Sequence, residues 1–196
     1  MSRAEIINLL IEKFNYQTYL EIGVERKSSN FDLIIAPNKK GVDPDSNAAA
    51  DYILTSDEFF EKNSEKYDII FIDGLHLRDQ FIRDVENSLK FLNDNGTIVC
   101  HDCLPSSFEE QDGGPLPSRD WTGDVWKGIT HFRMTRPDLS IQVVDTDFGC
   151  GIIRKGNQKL FVNETKQEID YYFYEKNKKD LMNVITTEEF LRAYSN

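Results

Sequence analysis

Apolar residues recur at helical spacing at the start of the chain, where Ile6, Ile7, Leu10, Ile11 and Phe14 alternate with Glu and Lys, and this predicts an amphipathic helix ending near Asn15. Tyr19, Leu20, Glu21, Ile22, Gly23 and Val24 then read as a buried strand, broken by one acid and running into a tight turn. A short helical stretch at 31–35 precedes a second strand at 39–43 and a third at 52–54. Ser56 is placed to cap a helix through Asp57, Glu58, Phe59 and Phe60. The strand at 68–72 is the clearest in the chain and ends at Asp73-Gly74. The clearest helix spans 77–92, with Leu77, Phe81, Ile82, Val85, Leu89 and Leu92 on one face; Asn95-Gly96 is expected to end it before a strand at 97–100. Strands alternating with helices predict βαβ units and a mainly parallel sheet.

The pattern changes after His101-Asp102. Residues 105–119 hold three prolines and two adjacent glycines, too polar and long for an ordinary connection, which predicts a lid near 105–121 hinged at Gly113-Gly114-Pro115. A helix follows at 124–136, stopped by Pro137. Strands at 141–144 and 151–153 flank a hairpin turn, giving the sheet an antiparallel carboxy-terminal edge. From about 164 onward the charged, aromatic tail reads as one or two helices, with Lys176, Lys178 and Lys179 on a solvated face. No repeat or linker divides the chain, so residues 1–196 are expected to form a single domain.

Composition narrows the function. The 196 residues carry 23 Lys+Arg against 34 Asp+Glu, a net charge of −11, and 39% are hydrophobic, which fits a folded chain and disfavours nucleic acid as the main partner. No apolar run approaches the ~20 residues needed to span a bilayer. Three cysteines, an odd number, suit a reducing compartment, and the amino terminus lacks the layout of a secretory signal, so a cytoplasmic location is expected.

In an open parallel sheet, ligands sit beyond the carboxyl ends of the strands. Here those ends carry Glu21 and Gly23, Asp43, Ser56 and Asp57, Asp73 to His76, and His101 and Asp102. Gly23 permits close backbone approach, and an acid about 20 residues later, Asp43, suits ribose hydroxyls. The sequence Glu21-Ile22-Gly23-Val24-Glu25-Arg26 has one glycine and lacks the dinucleotide fingerprint, which disfavours pyrophosphate. Cys100 and Cys103 form a C-x-x-C read as two small residues at a strand end, since a zinc site needs a second ligand pair. Trp126 is expected in the core; Trp121 is left open between core and acceptor stacking.

Six segments in order, Tyr19-Leu20-Glu21-Ile22-Gly23-Val24, Gly41-Val42-Asp43-Pro44, Thr55-Ser56-Asp57-Glu58-Phe59-Phe60, Phe71-Ile72-Asp73-Gly74-Leu75-His76, Val99-Cys100-His101-Asp102-Cys103-Leu104-Pro105 and Gly123-Asp124-Val125-Trp126-Lys127, together resemble class I S-adenosylmethionine-dependent methyltransferases. The branch they are similar to is the small bacterial one with D-G-x-H and H-D motifs, met in cell-surface sugar contexts. The resemblance implies a Rossmann-like three-layer α/β sandwich. It implies that Glu21, Ile22, Gly23 and Val24 wrap the methionine part of the cofactor, Asp43 holds the ribose, Ser56 and Asp57 lie by the adenine, and Ile72, Asp73 and Gly74 form the floor. The first loop departs from the family in having no glycine over 24–30.

Methyl transfer to an oxygen requires removal of a hydroxyl proton. His101 or His76 could act as the base, with His101 the expected one and Asp102 beside it; alternatively a divalent metal held by Asp73, His101 and Asp102 could acidify the hydroxyl. A mixed N/O set suits manganese, iron or zinc better than magnesium. The expected function is O-methylation of a small molecule, such as a sugar or glycoconjugate precursor, by a chain that could self-associate. The alternatives are a metal-dependent hydroxylase-like enzyme on the same scaffold and a non-catalytic nucleotide-binding subunit.

Overall fold

In the computed structural model, which describes residues 1–112, 114 and 120–195, the first helix, α1 (Arg3–Phe14), starts at a capping box formed by Ser2 and Glu5 and ends where Asn15 turns left-handed. Strands β1 (Thr18–Ile22), β2 (Asn38–Val42) and β3 (Tyr67–Ile72) pair in parallel, separated by 3-10 turns and by helix α2 (Ser56–Lys62). Helix α3 (Arg78–Phe91) returns to β4 (Leu92–Cys100), which lies parallel to β3. After the short α4 (Phe108–Gln111) come α5 (Val125–Thr135), the hairpin of β5 (Leu139–Val144) and β6 (Cys150–Lys155), then α6 (Tyr171–Leu181), β7 (Val184–Ile185) and α7 (Thr187–Tyr194).

The sheet order is β2-β1-β3-β4-β6-β5-β7. Side chains alternate across it. Leu20, Ile22, Ile70, Ile72, Ile98 and Cys100 face α2, α3, α5 and α6, whereas Tyr19, Ile69, Phe71 and Val99 face α1 and α7. Trp126 is fully buried against Tyr174, with ring centroids 4.7 Å apart. Lys176, Lys178 and Lys179 lie on the exposed side of α6. Among the described residues no helix is long and apolar enough to cross a membrane.

Four sequence expectations change. The third strand reduces to one parallel bridge between Val42 and Tyr52, because the chain turns away at once. Asn95-Gly96 does not end α3, which stops at Phe91; it lies in a bulge where β3 advances from Tyr67 to Ile69 while β4 advances from Leu92 to Thr97. The hairpin is not the edge, since β7 pairs in parallel outside β5. Thr55, not Ser56, caps α2, in a capping box with Glu58. Thr55→Ala is therefore expected to cost about 1 kcal/mol, read as a lower urea midpoint with an unchanged slope.

Candidate active site

The backbone brings the polar strand ends together. The Gly23 N–H donates to the Val42 carbonyl at 2.9 Å, Asp73 N–H to Ile22 at 2.9 Å and His101 N–H to Ile72 at 3.0 Å. Gly23 has φ 86°, and a Cβ there would lie 2.2 Å from the Asp73 carbonyl oxygen, so only glycine allows the strands to close in this way. Beyond these ends opens a cavity of about 830 Å³, toward the upper end of the usual ~300–1,000 Å³ for small-molecule sites. Glu21, Ile22, Gly23, Val24, Asp43, Ser56, Asp57, Asp73, Gly74, His76, His101 and Asp102 all line it. Ile72 is the exception: strand alternation points it into the hydrophobic core, not onto the cavity floor.

The first loop makes its bend without glycine. Glu25 adopts φ 50°, and its N–H donates to the Asp43 carboxylate at 2.8 Å, while the other Asp43 oxygen accepts from the Asp45 N–H at 2.8 Å. Asp43 thus closes the loop and keeps further lone pairs for a ligand. Glu21, 1% exposed, accepts hydrogen bonds from the Tyr19 hydroxyl and from Asn30 Nδ2 at 3.0 Å. Burial raises its pKa to about 7, against the pull of those two donors.

At the opposite wall Gln80 Nε2 donates to Ser56 Oγ at 3.0 Å, Asp57 Oδ1 at 3.3 Å and Asp84 Oδ1 at 3.0 Å. Burial raises Asp84 to about 6. Gln80 and Asp84 were not picked from the sequence, although an acid between Phe81 and Val85 on the apolar face of α3 was a readable signal.

The histidines occupy different positions. His76 Nδ1 donates to the Trp121 carbonyl at 2.9 Å, and the indole stacks on the imidazole at 5.3 Å. Gly123 allows this approach, since a Cβ there would meet the His76 carbonyl oxygen at 1.9 Å. His76 Nε2 is thereby aimed at Asp73 Oδ1, 3.4 Å away, and at Asp102 Oδ2, 3.2 Å away. Burial opposes the charged imidazolium, but these two carboxylates outweigh it and raise the pKa. Asp102 reaches the position through φ 58°, a conformation Asp tolerates.

His101, 4% exposed, is enclosed instead. Its Nδ1 lies 3.2 Å from Asp102 and 3.4 Å from Asp73, and its Nε2 lies 3.4 Å from Asp147 and 2.7 Å from the Arg3 guanidinium. Despite burial, the carboxylates of Asp102, Asp147 and Asp73 raise its pKa to about 11. Conversely, burial would raise Asp73, but His101, His76 and Arg3 hold it well below the usual carboxylate range. Among the described residues the group able to converge on one cation is Asp73, His76 and Asp102, with ligand atoms within 4.8 Å of one another. His101 was expected in that set, and His76 takes its place.

The lid expectation falls partly outside the described residues, as do Gly113 and Pro115 of its hinge. Its described base is tied down, with the Thr122 N–H donating to the Glu110 carbonyl at 2.9 Å. All three cysteines are free and buried, and burial raises their pKa well above the ordinary thiol value, so they stay protonated.

Residues 37–103 match a family model described as a methyltransferase domain, a segment that contains Asp43, Asp73-Gly74-Leu75-His76 and His101-Asp102. No curated protein matches the chain. Among solved structures it is similar to a Staphylococcus aureus protein provisionally designated a caffeoyl-CoA O-methyltransferase, with 20% identity over 78% of this chain and 82% of that one and a TM-score of 0.58. It is similar at 13% identity to an O-methyltransferase from Bacillus cereus solved with S-adenosylhomocysteine (79% and 80% covered, TM-score 0.58). At 14% identity it is similar to the Podospora anserina methyltransferase PaMTH1 in its S-adenosylhomocysteine-bound form (79% and 78% covered, TM-score 0.58). Fold and family model together bear out the resemblance to class I methyltransferases. Neither reaches the sugar-associated branch.

Proposed function

We propose that this chain, which carries the class I S-adenosylmethionine-dependent methyltransferase fold, transfers a methyl group from S-adenosylmethionine to an oxygen of a small molecule, with a sugar or glycoconjugate precursor as the acceptor. One observation carries the reading: a cavity at the carboxyl ends of the strands whose floor presents a histidine nitrogen between two carboxylates. Its described lining includes eight Asp and Glu residues, which favours a cationic ligand and disfavours a nucleic-acid acceptor. The sugar class rests on the motif branch and on the polar floor. The three buried thiols fit a cytoplasmic protein.

When bound, the cofactor supplies an electrophilic sulfonium methyl. Asp43 would hold the ribose hydroxyls, Ser56, Asp57, Gln80 and Asp84 would face the adenine, and Glu21 to Val24 with Gly74 would enclose the methionine part. Asp73 and Asp102 provide negative potential beside the sulfonium. His76 Nε2 would take the acceptor's hydroxyl proton as that oxygen is methylated. Trp121 fixes its tautomer, and Asp73 and Asp102 stabilise the imidazolium that results. His101, enclosed by Arg3 and three carboxylates, positions Asp73 and Asp102 and is not the base.

In a second reading Asp73, His76 and Asp102 hold a divalent cation, with Nε2 then a ligand and not the base, because a mixed N/O set whose histidine is oriented through its other nitrogen by a carbonyl is how metal-ligating histidines are usually held. Such an ion would supply Lewis acidity at the acceptor oxygen. Calorimetry with S-adenosylhomocysteine and turnover on a sugar panel, with and without EDTA, test the whole reading. Saturable binding with methylation is expected. Binding without turnover favours a nucleotide-binding subunit; no binding, with metal-dependent oxidation of a substrate, favours the hydroxylase alternative.

A further inference from the structure

Arg3 is the only Lys or Arg among the described residues lining the cavity. It comes from the first turn of α1, and its position is built. The Arg3 N–H donates to Asp147 Oδ2 at 2.8 Å, and Thr146 Oγ1 donates to the Met1 carbonyl at 2.5 Å, so the β5–β6 turn clamps the start of the helix. Its guanidinium is only partly used. Nη1 contacts His101, and it stands 3.8 Å from Asp73 and 3.9 Å from Asp147, beyond hydrogen-bonding distance of either. Nε and Nη2 make no hydrogen bond to any described residue, which leaves donors of a cavity-lining guanidinium unused.

A second unsatisfied group belongs to another residue lining the cavity. Asn30 is 3% exposed, and its Nδ2 is committed to Glu21 and the Tyr19 hydroxyl, both at 3.0 Å. Its Oδ1 is buried without a partner. A buried carbonyl oxygen with no donor is rare enough to need an explanation, and a ligand ammonium supplies one. Arg3, Asn30 and Glu21 all line the one cavity. A lone cation that shares a cavity with a bare acceptor and a carboxylate suits a zwitterion, with its anionic end at the guanidinium and its cationic end at the amide oxygen.

We propose that Arg3 binds the carboxylate of the amino-acid end of S-adenosylmethionine, while Asn30 Oδ1 accepts from its ammonium. The inference rests on reading the cavity as the cofactor site. An acidic acceptor would need the same guanidinium but would leave Asn30 Oδ1 unpaired. Arg3 is thus a specificity residue contributed by the amino-terminal helix, outside the strand ends that make the rest of the site.

The test compares two ligands that differ in that end alone. S-adenosylhomocysteine has the amino acid; 5′-methylthioadenosine keeps the adenosine and sulfur and lacks it. By calorimetry, Arg3→Gln is expected to weaken S-adenosylhomocysteine roughly 10- to 100-fold and to leave methylthioadenosine within about threefold, with Arg3→Lys in between. Equal loss of both ligands, or no loss of either, overturns the proposal. Unchanged S-adenosylhomocysteine affinity with a raised KM for a carboxylate-bearing acceptor also overturns it, by assigning the guanidinium to the acceptor. Wild-type protein that binds neither ligand removes the cofactor reading itself, a result distinct from normal binding by both wild type and Arg3→Gln.

Discussion

His76→Gln is expected to lower kcat by roughly 10²- to 10⁴-fold, the range for losing a positioned general base, while S-adenosylhomocysteine affinity stays within a few-fold of wild type. Glutamine keeps much of the volume that stacks on Trp121 and can still donate to its carbonyl, so the segment at Trp121 should hold. What it lacks is a nitrogen able to accept a proton between Asp73 and Asp102. The pH dependence follows with a definite sign. The two carboxylates raise the His76 pKa, so the base is protonated at low pH and turnover must rise with pH, its midpoint above the ordinary histidine value of 6.5. That limb should vanish in His76→Gln. His101→Gln, by contrast, should alter turnover without removing the limb, because His101 has no nitrogen free for an acceptor. A His76→Gln enzyme within tenfold of wild type, or one whose loss lies wholly in cofactor binding, would sink the assignment.

The different surroundings of the two histidines show where sequence patterning stops. Strands β1 to β4, the long helix α3 and Gly23 were legible because burial imposes periodicity, and because a strand end pressed against another backbone demands glycine. Asp43 was legible as a strand-end acid, although the structure also makes it the clasp of the first loop. What surrounds each histidine depends on contacts far apart in the chain: the Trp121 carbonyl on His76, and Arg3 and Asp147 on His101. No local pattern encodes these. Arg3 reads in the sequence as one polar residue on an amphipathic helix, and its partner Asp147 is 144 positions away. Asn95-Gly96 failed for another reason, since a helix stop and a strand bulge use the same residues.

The second large effect concerns stability. Glu21→Gln should make the folded protein more stable relative to wild type as pH rises, by about 3 kcal/mol between pH 4.5 and 8. Glu21 is buried beneath the cavity, and the donors that reach it, Tyr19 and Asn30, are both neutral. Burial lifts its pKa from 4.5 to about 7, so the folded protein holds this proton through a range in which the unfolded chain has released it. Its contribution is therefore fully present below about pH 4.5, falls as pH rises through 7, and is absent above. Glutamine mimics the protonated acid and cannot ionise, so the difference between variant and wild type isolates this one group. Asp84, lifted to about 6 by burial, has the same sign and leaves a residual slope in Glu21→Gln that Asp84→Asn should remove. Urea unfolding at pH 4.5, 6 and 8 reads the difference directly. A gap between Glu21→Gln and wild type that stays constant across the three would mean that Glu21 is already ionised in the empty cavity, and that its charge, not its proton, awaits the ligand's ammonium.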